Sequence, residues 1–337
     1  MQSALFGRIR DHLIEKRTSL SSWARAAPPA QKEIALGPSN EDMLHSHVQV
    51  LDEAIHMAED GSLGRCGICH ETVETELLEM DYTACVCITH LSEQEIHNLE
   101  NELGLAQDVQ RKLLPQQVPQ IPGVEIAAFT RPAQIIGGDY FDFLELNDRR
   151  HGIAIADVAG HGIAAGMHMA SVQSLLRALA PSIASPAELA ERLNKLFIHN
   201  VNYTTFVSFF LCSLDVEDKT LTYCNAGHNP PLLRRGRREA WLMPTGPAIG
   251  LVEGAAYTEE SLPLGSGDLL LLFTDGVTEA ANPQLEQFGT ERLRSQVAQN
   301  AHLPAQELVQ SLRTTLDGFT ASRPLDDDLT IVLCKIL

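Results

Sequence analysis

Apolar and polar residues change rhythm near Pro119. Beyond it, short runs alternate with period two or stay apolar throughout: "VEIAAF", "YFDFLEL", "GIAIADV", "FVSFFLCSLDV", "LTYCNAG", "DLLLLFTDG" and "LTIVLCKIL". Such runs, bounded by Gly, Asn and Asp, read as strands. Helical spacing interrupts them at Ile163 to Ala180, Pro186 to His199 and Glu291 to Phe319, the last split near Pro304. Hairpin spacing, as in "SLDVEDKTLTYC", argues for antiparallel pairing over a doubly wound parallel sheet. The pattern predicts an α+β fold, an αββα sandwich of two antiparallel sheets flanked by helices.

Upstream the texture is helical. Residues 1 to about 60 fall into two pieces separated by "AAPPA" and "LGPSN". In the second piece Met43, Leu44, Val48, Leu51, Ala54, Ile55 and Ala58 share one stripe behind an Asn40 N-cap. A Cys-rich stretch runs from Gly64 to Leu91. A long helix follows, "SEQEIHNLENELGLAQDVQRKLLP", opened by a Ser92–Glu95 capping box and closed before Pro115. Ile96, Leu99, Leu103, Ala106, Gln110 and Leu113 form a heptad seam on it, suited either to packing within the chain or to a homodimer. The expected organisation is a helical and Cys-rich module over 1–91, a linker helix over 92–118 and a large domain over 119–337.

Charge and composition narrow the function. A net charge of -19 repels polyanions, so neither direct nucleic-acid binding nor anionic lipid binding is expected. No apolar run approaches the ~18 residues of a membrane span, and "MQSALFGRIR" leads into "DHLIEKR" with no signal-peptide core. The expectation is a soluble cytoplasmic protein, with no membrane partner. None of the seven cysteines has an Arg six residues later, and no G-x-x-x-x-G-K-[ST] occurs, so cysteine-phosphatase chemistry and ATP hydrolysis are disfavoured.

Carboxylates mark the strand ends. "IIGGDYFDF" offers Asp139, "GIAIADVAGHG" Asp157, "LLLLFTDGVTEA" Asp275, and "RPLDDDLTIVLCKIL" the triplet Asp326, Asp327 and Asp328. Acids at the margins of buried strands cost desolvation unless a cation neutralises them. Oxygen-only sites suit Mg²⁺ or Mn²⁺.

"FTRPAQIIGGDYFDF", "IADVAGHGIAAGMHMA", "LTYCNAGHNPPLL", "LLLLFTDGVTEAANPQLEQFG" and "DDDLTIV" stand in the order found in the metal-dependent protein phosphatases of the PPM (type 2C) class. They resemble its SpoIIE-type bacterial branch, over about Pro119 to Leu337. The resemblance implies hydrolysis by a water activated between two or more Mn²⁺ or Mg²⁺ ions. Asp157 resembles the bridging carboxylate and the carbonyl of Val158 a ligand of the first ion. Asp139 resembles the acid that holds that ion's water shell, and Asp275 and Asp327 ligands of the second. Asp327 fits the family register, two residues after Leu325 and three before Thr330, with Asp328 as fallback. Gly137 and Gly138 suit close backbone approach. His161 is read as a loop residue, His228 as a structural hydrogen-bonding group, and Arg131 as a candidate for substrate phosphate. "RRGRRE" (Arg234 to Glu239) is a solvated hairpin tip or a docking patch for an acidic partner.

The cysteines cluster separately. Cys66 and Cys69 form C-x₂-C, and seventeen residues later Cys87 and His90 form C-x₂-H, a spacing suited to tetrahedral Zn²⁺. Cys85 is the alternative to Cys87, and a set of partly buried free thiols is the non-metal alternative. The flank "LDEAIHMAEDGSLGRCGICHETV" resembles the DksA/TraR-type zinc finger, with Leu63-Gly64-Arg65 in place of that family's aromatic-Gly pair and His90 in place of its last Cys. Cys212, Cys224 and Cys334 read as inert core thiols.

The reading that follows is a Mg²⁺/Mn²⁺-dependent serine/threonine phosphatase. Its substrate would be a phosphorylated regulatory protein, of the STAS-type anti-sigma-antagonist class. The alternative is an inactive scaffold or RNA-polymerase-binding transcription modulator acting through the zinc finger. A nuclease conflicts with the acidic balance.

Overall fold

The computed structural model describes residues 86–337 apart from 148–149, 161, 201–204 and 322. Before residue 86 it describes residues 10, 14, 17, 49, 52, 55–59, 64–71 and 73. Most of the expected N-terminal helical pieces, Cys85 and His161 therefore lie outside the described residues. Residues 55–59 are helical. The chain divides into two compact units, Met1–Glu100 and Asn101–Leu337. The boundary falls within helix α1, Glu93–Leu113.

Among its described residues the larger unit forms ten strands in two five-stranded antiparallel sheets. The first sheet has the order β1 (Val124–Arg131), β10 (Leu329–Ile336), β9 (Leu269–Phe273), β6 (Leu232–Arg235), β7 (Arg238–Trp241). The second has β2 (Tyr140–Asn147), β3 (Arg150–Val158), β4 (Val207–Asp215), β5 (Thr220–Ala226), β8 (Glu260–Pro263). Sequence patterning had pointed to seven of these strands. The four-residue strands β6, β7 and β8 escaped it because each is too short to display a period. Gly236, at φ +59°, turns the β6–β7 hairpin, so the basic island is a hairpin tip, with Arg234 paired to Glu239.

Three apolar layers explain the stacking. Between the sheets, Phe141, Ile155, Phe210 and Tyr223 pack with Leu270, Leu272 and Val332. Helices α2 (Gly162–Leu179) and α3 (Pro186–Phe197) cover the outer face of the second sheet through Met169, Leu176, Leu193 and Phe197. Helices α5 (Gly289–Asn300) and α6 (Ala305–Thr320) cover the first through Leu293, Leu308 and Leu312. The result is the anticipated helix–sheet–sheet–helix sandwich. β9 reads "LLLLF" without alternation because both of its faces are covered and all five residues are buried. Cys212, Cys224 and Cys334 are buried as well.

Local chemistry sets the helix limits. Ser185 caps α3, its side chain accepting the Glu188 N–H, and Pro186 follows at the first helical position. Pro304 separates α5 from α6, as its sequence position predicts. Among the described residues no helix is long and apolar enough to cross a membrane.

Candidate active site and cysteine cluster

Strand register brings the acids to one end of the sandwich. Tyr140 pairs with Ala156 across β2 and β3, so Asp139 and Asp157 are neighbours at that edge. Phe273 pairs with Ile331 across β9 and β10, which puts Asp275, at the start of α4 (Asp275–Glu279), beside the Asp327–Asp328 approach to β10. Asp157 faces Ser208 in the β3–β4 ladder, and Val158 faces Val207.

Asp328 ties the two sheets together. Its Oδ1 accepts the Ala133 N–H at 2.7 Å, and its Oδ2 accepts those of Gly138 at 2.6 Å and Asp139 at 3.3 Å. A carboxylate holding three amides is fully committed to the loop before β2. A side chain at Gly137 would bring a Cβ to 2.3 Å from Asp328 Oδ2, and one at Gly276 would meet Asp328 O at 2.0 Å. Both glycines are therefore steric requirements of this clamp, and Gly138 lies against the Val158 carbonyl. From the other side, Gln110 of α1 pairs with Gly137 in both directions. Its Nε2 donates to Gly137 O at 2.6 Å and its Oε1 accepts Gly137 N–H at 3.1 Å. Gln107 Nε2 donates to Ile135 O at 3.1 Å. The polar break in the heptad seam is thus used within the chain.

The electrostatics are those of crowded like charges. Burial, followed by the charges of Asp275, Asp327 and Asp328, pushes Asp157 up to about 7. Asp139 lies well above the usual carboxylate range, through burial and then Asp157, against the pull of the Thr330 and Thr274 hydroxyls. Burial and then Glu279 raise Asp275. The leading influences on these acids are burial, other carboxylates and hydrogen-bond donors. Such a set fits hard divalent cations, and Asp139, Asp157, Asp275, Asp327 and the Val158 carbonyl could hold them. Among the described residues, only the cysteine–histidine group gathers three or more ligand atoms mutually within 4.8 Å. A cavity of about 290 Å³ borders Asp327, with Gly276, Glu279 and Arg323 in its walls.

Two further sequence candidates are engaged in bonds of their own, although Arg131 lines one cavity with Asp139 and Asp328. Arg131 donates from Nη1 to Asp317 Oδ1 at 2.8 Å, toward α6. His228 is buried and bonded through Nδ1 to Ser208 Oγ at 2.8 Å, and burial holds it down to about 4, so it is neutral. Thr274 escaped the sequence reading, and Gln110 entered it only as a seam position. The one signal for each is a polar residue that breaks an apolar pattern.

In the smaller unit, Cys66, Cys69, Cys87 and His90 offer ligand atoms all within 4.8 Å of one another. Cys66 Sγ lies 3.3 Å from His90 Nδ1, and Cys69 Sγ 3.8 Å from Cys87 Sγ. The turn after Cys66 is closed by Cys66 N–H to Glu71 O and by His70 N–H to Cys66 O. Amides of Ile68 and Cys87 point at Cys66 Sγ, each at 3.4 Å. Backbone N–H groups, that of Cys69 foremost, hold the Cys66 thiol down to about 5, which favours the thiolate that metals bind.

The model of the family "Stage II sporulation protein E (SpoIIE)" matches residues 147–337. The chain belongs to the SpoIIE family. The phosphoserine phosphatase RsbU of Bacillus subtilis (strain 168) is 29% identical to this SpoIIE-family chain over 241 residues, covering 70% of each protein. The SiaA-PP2C domain of Pseudomonas aeruginosa shares the fold with a TM-score of 0.65 at 21% identity, over 72% of this chain and 99% of that domain. The RsbU and RsbW domains of Rv1364c from Mycobacterium tuberculosis give a TM-score of 0.56 at 28% identity, over 67% of this chain and 63% of theirs. The sandwich is the PP2C fold, and the SpoIIE-family domain is a PP2C-type serine/threonine phosphatase.

Proposed function

We propose that this SpoIIE-family chain removes phosphate from serine or threonine of a cytoplasmic regulatory phosphoprotein, of the anti-sigma-antagonist class, with Mn²⁺ or Mg²⁺ held by Asp139, Asp157, Asp275, Asp327 and the Val158 carbonyl. The observation that carries this reading is the meeting of acids from four chain segments at one sandwich end, where burial and mutual repulsion raise their proton affinity. Divalent cations, when bound, supply the charge that ionises a water and neutralises phosphoryl oxygens. Asp157 feels the charges of Asp275, Asp327 and Asp328, and Asp139 those of Asp157 and Asp328, while Asp328 holds the loop before β2. The commitment of both Asp328 oxygens to amides favours Asp327 as the ligand of the pair. RsbU, a phosphoserine phosphatase, supports the substrate class.

The cysteine cluster supports a second metal, Zn²⁺, held by Cys66, Cys69, Cys87 and His90 in a structural role, with all four positions filled by protein ligands. Leu99 of the α1 seam stays exposed, as do Leu105 and Val109 outside the seam, which supports use of that helix between two copies of the chain.

The test is Mn²⁺-dependent hydrolysis of an aryl phosphate and of phosphorylated STAS-domain proteins, with and without chelator. Asp157→Ala is expected to abolish turnover on both. Unchanged turnover in that variant discards the phosphatase reading.

A further inference from the structure

We infer that Thr274 is a positioning residue for the acidic cluster, its buried hydroxyl aiming one carboxylate oxygen of Asp139 and thereby setting divalent-cation affinity. The inference rests on the proposed phosphatase reading and assigns a role to a residue outside the candidate ligand set.

Thr274 lies between β9 and α4 and has no exposed surface. Its backbone N–H donates to Thr330 O at 3.1 Å, extending the β9–β10 ladder by one rung. Its Oγ1 accepts the Thr330 N–H at 3.0 Å. That bond occupies a lone pair and directs the hydroxyl proton elsewhere. The two acceptors within reach are Asp139 Oδ2 at 2.8 Å and Asp328 O at 3.4 Å, so the proton goes to the carboxylate. Thr274 has no side-chain capping bond to the α4 backbone, the ordinary use of a Thr at that position. Thr330 is braced in turn by Thr130, hydroxyl to hydroxyl at 2.8 Å. The chain β1–β10–β9 thus reaches from the first sheet to an acid of the second, Thr330 adding its own pull on Asp139 beside the Thr274 bond. With Oδ2 engaged and the Asp139 amide held by Asp328, the carboxylate cannot rotate freely. A preoriented carboxylate needs no reorganisation on meeting a cation or its water shell.

The test is calorimetric titration of the full-length metal-free chain with Mn²⁺, with urea midpoints as a check on folding. Thr274→Val is expected to weaken binding roughly 10–100-fold, while Thr274→Ser recovers most of the affinity. Thr274→Cys, a weak donor of similar size, is expected to share the loss and serves if the Val variant does not fold. Wild-type affinity in the Val or Cys variant, or an equal loss in the Ser variant, overturns the inference. Cation binding untouched by Asp157→Ala overturns the phosphatase reading with it.

Discussion

Gly137 is held between two partners that leave no volume for a side chain. On one face stands the Asp328 carboxylate, and on the other the Gln110 amide. Asp328 cannot swing aside, since doing so abandons three amide hydrogen bonds, and a stranded buried donor costs about 1–3 kcal/mol. Gly137→Ala is therefore expected to destabilise the metal-free protein by about 1–3 kcal/mol in urea unfolding, and to lower Mn²⁺-dependent turnover. Gly104, within α1 and with nothing within 4 Å of a built Cβ, is the counter-case. Gly104→Ala is expected to stabilise by about 0.5–1 kcal/mol. Sequence alone identified Gly137 as a close-approach glycine. The object approached, a carboxylate 191 positions away, was not legible.

At the scale of elements, the sequence showed different amounts of the cysteine turn and of the long helix. The two pairs separated by seventeen residues were legible as one cluster, and their four ligand atoms lie within 4.8 Å of one another, because spacing within a pair is a local property. Purified protein is expected to carry one Zn²⁺ per chain by elemental analysis. Cys66→Ser is expected to lose it, while Asp157→Ala retains it. Zinc absent from the wild type, or retained in full by the Cys66 variant, rules out the tetrahedral site. The heptad pattern of α1 was legible as a stripe, yet its Gln110 binds Gly137. Periodicity reports which residues share a face and cannot report what that face meets. The strands β6, β7 and β8 show the same limit, since four residues are too few to establish alternation.

Over the whole molecule, the site's acids act on stability with a definite sign. Asp157 has its folded value raised to about 7 by burial and by neighbouring carboxylates. Its contribution is therefore fully present below its unfolded value near ~4 and is lost as pH rises through about 7. Without metal, Asp157→Asn should gain thermal stability relative to wild type between pH 5 and pH 8. Saturating Mn²⁺ should reverse that order at pH 8, because cations bind the ionised acid. A gap between the two proteins that ignores both pH and Mn²⁺ would show that Asp157 is not part of a charged cluster.

The amino-acid order by itself determined the sandwich class, the strand-end acids and the cysteine pairs, because each is written in short-range periodicity, turn chemistry or ligand spacing. Tertiary structure decided which amides Asp328 holds, which hydroxyls reach Asp139, and what Gln110 grips. Those facts depend on the pairing of β10 with β9 and on the approach of two sheets, which brings residues 190 positions apart within hydrogen-bond distance. Adjacent aspartates with identical chemistry became different groups because Asp328 reaches three amides of the loop before β2, whereas Asp327 accepts the amide of Asp328 next to it.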